Sequence, residues 1–248
     1  MKISVVTAVY NRVDTIGQAL ESVASQRFAN VEHIIVDGAS TDGTLDVIRA
    51  QTRANMTVQS APDKGIYDAL NKGIAAATGD VIGVMHSDDF FAHQTVLADI
   101  AACLEISRAD AVYGDLDYVA AHHTDRIVRR WRSGAYARDR LRRGWMPPHP
   151  ALFVRRDVFA EHGQYDTSYQ IAADYDAILR WMWRGNIRVA YLPEVLVKMR
   201  VGGESNRSLG RMITKSREDY RALRANGVGG IGALAWKNAS KIPQFFVR

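Results

Sequence analysis

Short apolar runs alternate with amphipathic stretches through the first third of the chain. Ile3 to Val9, Val31 to Val36 and Val81 to Met85 are rich in β-branched residues, which is typical of buried strands. Between the first two, from Asp14 to Gln26, apolar residues recur at helical spacing. This alternation predicts an α/β fold with a Rossmann-like, mostly parallel central sheet flanked by helices.

Weaker patterns extend the prediction along the chain. Further strands are predicted at Met56 to Gln59, Ala111 to Tyr118, Ile127 to Trp131, Ala151 to Val154 and Val189 to Met199. Further helices are predicted from Asp42, at Ile66 to Ala77, at Asp174 to Trp183 and at Ser208 to Asn226. The three prolines between Met146 and Pro150 predict an extended loop.

Cys103 is the single cysteine among 248 residues. It excludes an intramolecular disulfide framework and a cysteine-rich zinc site, and it favours a reducing, cytoplasmic setting. The apolar run at the N-terminus is too short for a signal peptide, and no run of about 18 apolar residues predicts a membrane span. The length of 248 residues allows one large α/β domain or two small ones, and one compact catalytic domain is expected.

Positive charge is concentrated in two places. The chain has a formal charge of +5, and eight arginines fall between Arg126 and Arg143, interleaved with aromatic residues. A second basic and aromatic cluster runs from Trp236 to Arg248. Two such segments favour peripheral attachment to an anionic membrane surface, which we expect to be the inner face of the plasma membrane. The alternative is that the arginines form a solvated helix face.

Two aspartates, Asp88 and Asp89, directly follow the apolar run from Val81 to Met85. The carboxyl ends of parallel strands open into the crevice where α/β sheets bind ligands, so Asp89 is expected to be a solvent-facing carboxylate there. Two carboxylates in this place can hold a hard divalent cation, with a phosphorylated substrate as its other ligand. The alternative is that the pair only caps the following helix.

Three other polar segments also follow predicted strands. Strand one ends in Thr-Ala-Val-Tyr-Asn-Arg (7–12), and strand two ends in Asp-Gly-Ala-Ser-Thr-Asp-Gly (37–43). Asp37 can accept hydrogen bonds from a base or ribose, although these residue types are also ordinary turn formers. The third segment, Asp-Lys-Gly-Ile-Tyr-Asp-Ala-Leu-Asn-Lys-Gly (63–73), places a lysine and an aspartate at a helix start.

These motifs, followed by Ser-Asp-Asp (87–89), resemble the family 2 glycosyltransferases of GT-A fold, and among them bacterial enzymes of colanic-acid and exopolysaccharide assembly. The resemblance covers residues 1 to 205. It implies a GT-A catalytic domain over 1–205, with a nucleotide-sugar-binding half (1–90) and an acceptor-binding half (91–205). Residues 206–248 would then be a helical, basic C-terminal tail.

The resemblance also implies a donor site. Thr7, Tyr10, Asn11 and Arg12 would lie against the nucleotide, and Asp37 would hydrogen-bond the base. Asp89 corresponds to the last aspartate of the Asp-x-Asp signature, with Asp88 as its helper, and His86 stands where the signature has its first aspartate. This assignment predicts Mn²⁺ or Mg²⁺ as cofactor. The full set of implied donor-binding residues is Thr7, Ala8, Tyr10, Asn11, Arg12, Asp37, Asp68, Lys72, Ser87, Asp88 and Arg200.

The second half of the chain is expected to supply the catalytic base. Asp174, in Ala-Ala-Asp-Tyr-Asp (172–176), matches the catalytic position of the family's acidic motif. Ala173 replaces the more usual first acidic residue of that motif. An inverting transfer requires one carboxylate to take the proton of the acceptor hydroxyl. His149 would lie near the acceptor, and Arg200 could reach the leaving diphosphate. The alternatives are a helix cap for Asp174, a structural histidine for His149 and an ordinary surface charge for Arg200.

The expected function is transfer of a sugar from a nucleotide donor, best matched by a uridine diphosphate sugar, to a saccharide that is linked to a polyprenyl diphosphate. A dinucleotide-dependent oxidoreductase is the first alternative, but the turn after strand one lacks Gly-x-Gly-x-x-Gly. A nucleic-acid-binding module is the second, and it leaves the acidic pair unexplained. We therefore expect no nucleic-acid partner.

Overall fold

The computed structural model describes residues 1–202 and 209–239. In this part of the chain nine strands form one sheet in the order β3-β2-β1-β4-β8-β6-β9-β5, and β7 pairs with β6. The strands are β1 (Ile3–Val9), β2 (Val31–Asp37), β3 (Met56–Ser60), β4 (Val81–Val84), β5 (Phe90–Phe91), β6 (Ala111–Val119), β7 (Ile127–Trp131), β8 (Leu152–Arg155) and β9 (Val189–Arg200).

Helices cover both faces of the sheet and follow the strands in sequence. They are α1 (Val13–Ala24), α2 (Thr44–Ala50), α3 (Ile66–Ala76), α4 (Val96–Ser107), α5 (Arg156–His162), α6 (Ala173–Ile178), α7 (Leu209–Ala225) and α8 (Ile231–Ala239). Two short 3₁₀ helices span Arg138–Arg143 and His149–Ala151. None of the helices in the described residues is both long enough and apolar enough to cross a membrane.

The first four strands in sequence are parallel, and their register brings their carboxyl ends to one edge. Val9 of β1 pairs with Asp37 of β2, and Val6 of β1 pairs with Val84 of β4. This arrangement confirms the predicted α/β class and places the polar segments that follow these strands side by side. The second half of the sheet adds antiparallel pairings, because β8 runs antiparallel to both β4 and β6.

Strand β8 lies between β4 and β6 and so joins the two halves of the sheet. Gly83 of β4 packs directly on Phe153 of β8, and a Cβ atom at Gly83 would lie 2.1 Å from Cε1 of that ring. Phe153 is fully buried. Only glycine therefore fits at position 83 beside this aromatic ring.

Helix α7 packs into the main core. Ala222 and Leu223 are completely buried there, in the same cluster as Tyr175 and Ile178 of α6. The predicted domain boundary at residue 205 lies outside the described residues.

The helix predicted from Asp174 to Trp183 changes its hydrogen-bond pattern part-way. It is α-helical to Ile178 and continues as a π-helical turn over Leu179–Arg184. The hydrophobic pattern does not reveal this change, since both forms bury one apolar face. Helices α5 and α8 are short and were not predicted as separate elements.

Candidate active site

The connections after β1 and β2 are held together by side-chain hydrogen bonds. Asn11, whose φ of 51° is left-handed, accepts the Thr41 N–H at 2.9 Å through Oδ1 and donates its own N–H to Ser40 Oγ at 2.9 Å. The Arg12 N–H donates to Thr44 Oγ1 at 2.7 Å. Asn11 and Arg12 are thus at the predicted edge of the sheet, where they shape the turn.

Two residues predicted to touch the donor lie beneath the turn instead. Asp37 is fully buried and accepts hydrogen bonds from Ser40 N–H, Ser40 Oγ (2.5 Å) and Ser60 Oγ (2.7 Å). Thr7 is also fully buried, with Oγ1 2.9 Å from Nε2 of His33. Direct contact of Thr7 and Asp37 with a nucleotide stays a prediction, although both side chains already have partners within the fold. Their hydrogen-bonding groups are used inside the fold to fix the strand ends.

Tyr10 is at the surface, with 58% of its area exposed. Beside it, a Cβ at Gly38 would lie 3.4 Å from the Tyr10 ring and 2.5 Å from Oδ2 of Asp63. The Gly38 backbone thus separates an exposed aromatic ring from a half-buried carboxylate, a combination that can stack on a base and accept its N–H. Ala8, also predicted here, is buried.

Asp68 and Lys72 lie near this turn and bind each other. Their ion pair is 3.0 Å long, the Asp68 carboxylate accepts the Lys64 N–H at 3.0 Å, and Lys72 Nζ donates to the Pro62 carbonyl at 3.2 Å. The hydrogen bond from Lys64 and the ion pair with Lys72 lower the pKa of Asp68. The pair therefore braces the loop that carries Asp63.

The two carboxylates after β4 have different surroundings. Asp88 is half-buried, whereas Asp89 is only 1% exposed, and Asp89 Oδ1 accepts the Arg200 N–H at 3.2 Å. Oδ2 of Asp89 has no hydrogen-bond partner among the described residues. Burial, with repulsion from Asp88, raises the pKa of Asp89 well above its usual value. The expectation of a solvent-facing Asp89 is wrong, because the end of β9 covers it.

Arg200 is buried as well, and its guanidinium donates to the Asp88 carbonyl, the Ala121 carbonyl and Gln18 Oε1. It also lies 5.3 Å from the centre of the Phe90 ring. The expected reach of Arg200 to a diphosphate is therefore not present in this structure. The side chain instead ties β9 to the segment that holds the acidic pair. Ser87, another predicted donor residue, is buried too.

His86, His149 and Asp174 converge at the crevice. The two imidazole rings are 5.5 Å apart, and Tyr165 packs edge-on against His149 at 5.6 Å. Tyr67 Oη donates to the Ile171 carbonyl at 2.5 Å and lies 3.4 Å from Oδ1 of Asp174. Asp174 itself is half-buried. The structure thus brings the predicted base together with the predicted acceptor-side histidine.

Burial controls the charge of both histidines. Desolvation lowers the pKa of His149 to about 4, although the Asp174 carboxylate opposes this effect. Desolvation lowers the pKa of His86 too, against the attraction of Asp88 and Asp174. His149 Nε2 has no hydrogen-bond partner within the described part of the chain. Both rings are therefore neutral at pH 7, and each can donate or accept one hydrogen bond at a bound substrate.

Four residues of this region were missed by the sequence prediction: Asp63, Tyr67, His86 and Tyr165. Asp63 and Tyr67 stand inside the quoted 63–73 segment, and His86 was treated only as a departure from the Asp-x-Asp signature. Their positions beside strand ends were the available signal. Tyr165 has no such signal, because only the three-dimensional packing brings it to His149.

The sequence model described as Glycosyl transferase family 2 matches residues 4–163, which include the connections after β1, β2 and β4. The chain belongs to this family. A PGL/p-HBAD biosynthesis glycosyltransferase of Mycobacterium tuberculosis is 31% identical over 208 residues, which are 82% of this chain and 78% of that protein. The assignment confirms the resemblance to family 2 glycosyltransferases.

Solved structures confirm the GT-A fold of this family 2 glycosyltransferase. TarS of Staphylococcus aureus superposes with a TM-score of 0.69 at 20% identity, and the match covers 92% of this chain but 39% of TarS. The mannosyltransferase PcManGT of Pyrobaculum calidifontis, in complex with GDP-Man and Mn²⁺, has a TM-score of 0.68 at 18% identity. That match covers 98% of this chain and 74% of the mannosyltransferase.

Proposed function

We propose that this protein is an inverting, metal-dependent glycosyltransferase that uses a uridine diphosphate sugar. The observation that carries the proposal is the half-buried Asp174 carboxylate, which shares one crevice with His86 and His149 at the carboxyl edge of the parallel strands. Family membership supports the reaction class, and a structure of TarS residues 1–349 in complex with UDP-GlcNAc supports the donor class.

The reaction follows from the positions of these groups. Asp174 takes the proton of an acceptor hydroxyl while that oxygen forms a bond to the anomeric carbon, and the bond from this carbon to the diphosphate breaks. Tyr67 holds the Ile171 carbonyl and lies beside Asp174, so it limits the rotation of the base. The neutral rings of His86 and His149 bind substrate oxygens without adding charge to the crevice.

The acidic pair fits a divalent cation through Asp88. The pair lies close enough for Asp88 to raise the pKa of the buried Asp89, so a cation held by the half-buried Asp88 would relieve their repulsion. Carboxylate oxygens suit Mn²⁺ and Mg²⁺. When bound, such an ion supplies positive charge to the leaving diphosphate.

We further propose that Tyr10 and Asp63 bind the base of the donor. The exposed ring can stack on a pyrimidine, and the carboxylate across the Gly38 backbone can accept the N–H of uracil. Asp37 and Thr7 support this pocket from below, since they fix the ends of β2 and β1.

The acceptor is proposed to be a lipid-linked saccharide of a cell-surface glycan or exopolysaccharide, reached from the cytoplasmic face of the membrane. Several arginines of the predicted basic segment are engaged within the fold, as shown by Arg129 at 4.7 Å from the Tyr118 ring. Arg142 and Arg143 are exposed and line a hollow of about 300 Å³ with Trp236 of α8. Ile231 and Trp236 are 74% and 57% exposed, so this surface suits peripheral attachment. Residues 240–248 of the predicted second cluster lie outside the described residues.

The test of the function begins with a donor screen. Sugar nucleotides are added with Mn²⁺, and the one that raises the melting temperature is used for transfer assays. Asp174→Asn keeps the size of the side chain but cannot take the proton, so turnover should fall roughly 10²- to 10⁴-fold while donor affinity changes little. Normal turnover by this variant would refute Asp174 as the base.

A further inference from the structure

Helix α6, which carries Asp174, begins without a side-chain cap of its own. Its N-cap residue is Ala172, which has no group that can accept the free N–H groups of the first turn. The Glu218 carboxylate of α7 instead binds the backbone that leads into the helix. It accepts hydrogen bonds from Gln170 N–H at 2.8 Å, Ile171 N–H at 2.8 Å and Ala172 N–H at 2.9 Å. Three consecutive backbone donors thus converge on one distant carboxylate.

The same face of α7 holds both sides of the Asp174 segment. Arg221, one turn after Glu218, donates to Ser168 Oγ at 2.7 Å and lies 4.2 Å from the centre of the Tyr169 ring. Asn226 Nδ2 donates to Asp176 Oδ1 at 2.9 Å. The segment is therefore anchored before and after Asp174 by α7 and the residue that follows it.

Glu218 and Tyr67 act on the same residue from different elements. Glu218 accepts the Ile171 N–H, while Tyr67 of α3 donates to the Ile171 carbonyl. With its N–H and its carbonyl both bonded to side chains, Ile171 has little freedom to move. Asp174 follows three residues later, so the position of its carboxylate depends on this anchoring.

We propose that Glu218 is a positioning residue, which anchors the backbone of residues 170–172 before α6 and thereby holds Asp174 in line with the acceptor hydroxyl. The role given to Asp174 rests on the proposed function. Glu218 lies beyond residues 4–163, the part matched by the family's sequence model. Helix α7 is thus part of the catalytic apparatus of this chain, although it contributes no group to the reacting atoms.

The test compares Glu218→Ala and Glu218→Gln with Glu161→Ala, a matched control at an exposed glutamate on α5. Glu218→Ala should lower kcat roughly 10- to 100-fold with KM for the donor nearly unchanged, because misplacement of a reacting group by about 1 Å can cost this much. The kcat of Glu218→Gln should lie between that of the wild type and that of Glu218→Ala, since its amide oxygen still accepts a hydrogen bond but carries no charge. Backbone amides 170–172 should exchange faster in both variants than in the control.

A double-mutant cycle with Asp174→Asn separates this proposal from the base assignment. Glu218→Ala should cause little further loss in the Asp174→Asn background, because it acts through a group that is already disabled. An equal loss in both backgrounds, or normal kcat in Glu218→Ala, would overturn the positioning role alone. Full turnover by Asp174→Asn would overturn the base and this proposal together. If Glu218→Ala does not fold, the double-mutant cycle of Glu218→Gln with Asp174→Asn tests the positioning role in the same way.

Discussion

Glu32 lies at the start of β2, at the end of the sheet away from the candidate active site. Its carboxylate accepts hydrogen bonds from Lys2 Nζ at 2.6 Å, Ser4 Oγ at 2.5 Å, and the N–H groups of Thr78 (2.6 Å) and Gly79 (3.0 Å). These groups come from the beginning of β1 and from the turn before β4. One carboxylate therefore joins the starts of three neighbouring strands.

The energy of this junction follows from the pKa of Glu32. Burial alone would raise it, but the hydrogen bonds from Lys2, Ser4 and Thr78 outweigh burial and lower the pKa from 4.5 to about 2. At about 1.4 kcal/mol for each pKa unit, the ionised carboxylate stabilises the fold by about 3 kcal/mol. Because the folded-state pKa is the lower one, this stabilisation is complete above pH 4.5 and is lost as the pH falls towards 2.

The perturbation is Glu32→Gln, measured by urea unfolding from about pH 7 to about pH 3. The variant should be less stable than the wild type by about 3 kcal/mol at pH 7, and the difference should shrink steadily below pH 4.5. Glu105→Gln, the same change at an exposed site on α4, is the control and should alter the free energy of unfolding little. A stability difference that is constant across this pH range would show that charge is not the source of the stabilisation, and the reasoning would fail.

Three further predictions concern the metal, the core and the membrane. Asp88→Ala should lose Mn²⁺-dependent donor binding in calorimetry, whereas Asp89→Asn should retain it. If Asp88→Ala binds the donor as tightly as the wild type does, the metal assignment is contradicted. Gly83→Ala should destabilise the protein by about 1–3 kcal/mol in urea unfolding because its Cβ meets the Phe153 ring, whereas Gly230→Ala, where a Cβ meets nothing within 4 Å, should not. Replacing Arg142 and Arg143 by alanine should weaken binding to anionic vesicles about 30-fold at low salt, since each basic residue contributes about 1 kcal/mol. Unchanged flotation, or an equal loss when Arg49 and Arg53 are replaced, would count against that surface.

The fold could be predicted largely from local patterns. The strand from Ile3 to Val9 has the predicted bounds, because an apolar run with polar flanks fixes a buried strand within a residue or two. The strand from Ile127 to Trp131 also has the predicted bounds, although it is largely exposed. The antiparallel place of β8 could not be predicted, since it depends on pairing between residues far apart in sequence. The π-helical turn after Ile178 was missed for a local reason, because both helix forms show the same hydrophobic pattern.

The candidate site was predicted by position along the chain but not by side-chain direction. Tyr10 and Asp174 are accessible as expected, whereas Thr7, Asp37 and Arg200 are buried. A polar residue at a strand end can face the ligand or the supporting turn, and the sequence pattern does not distinguish the two directions. Glu218 shows the opposite case, where a residue in a charged helix has its partners in a loop that lies 46 to 48 residues earlier in sequence.

The position of β8 between β4 and β6 has a consequence for how substrates enter. The strands of the proposed donor side and those of the proposed acceptor side share one hydrogen-bonded sheet, and Gly83 packs against Phe153 at the seam between them. Such a seam offers no hinge, because rotation of one half against the other would break strand pairing and core packing together. Opening and closing must therefore take place in the connections beyond the strand ends, and the sheet remains a rigid platform throughout the catalytic cycle.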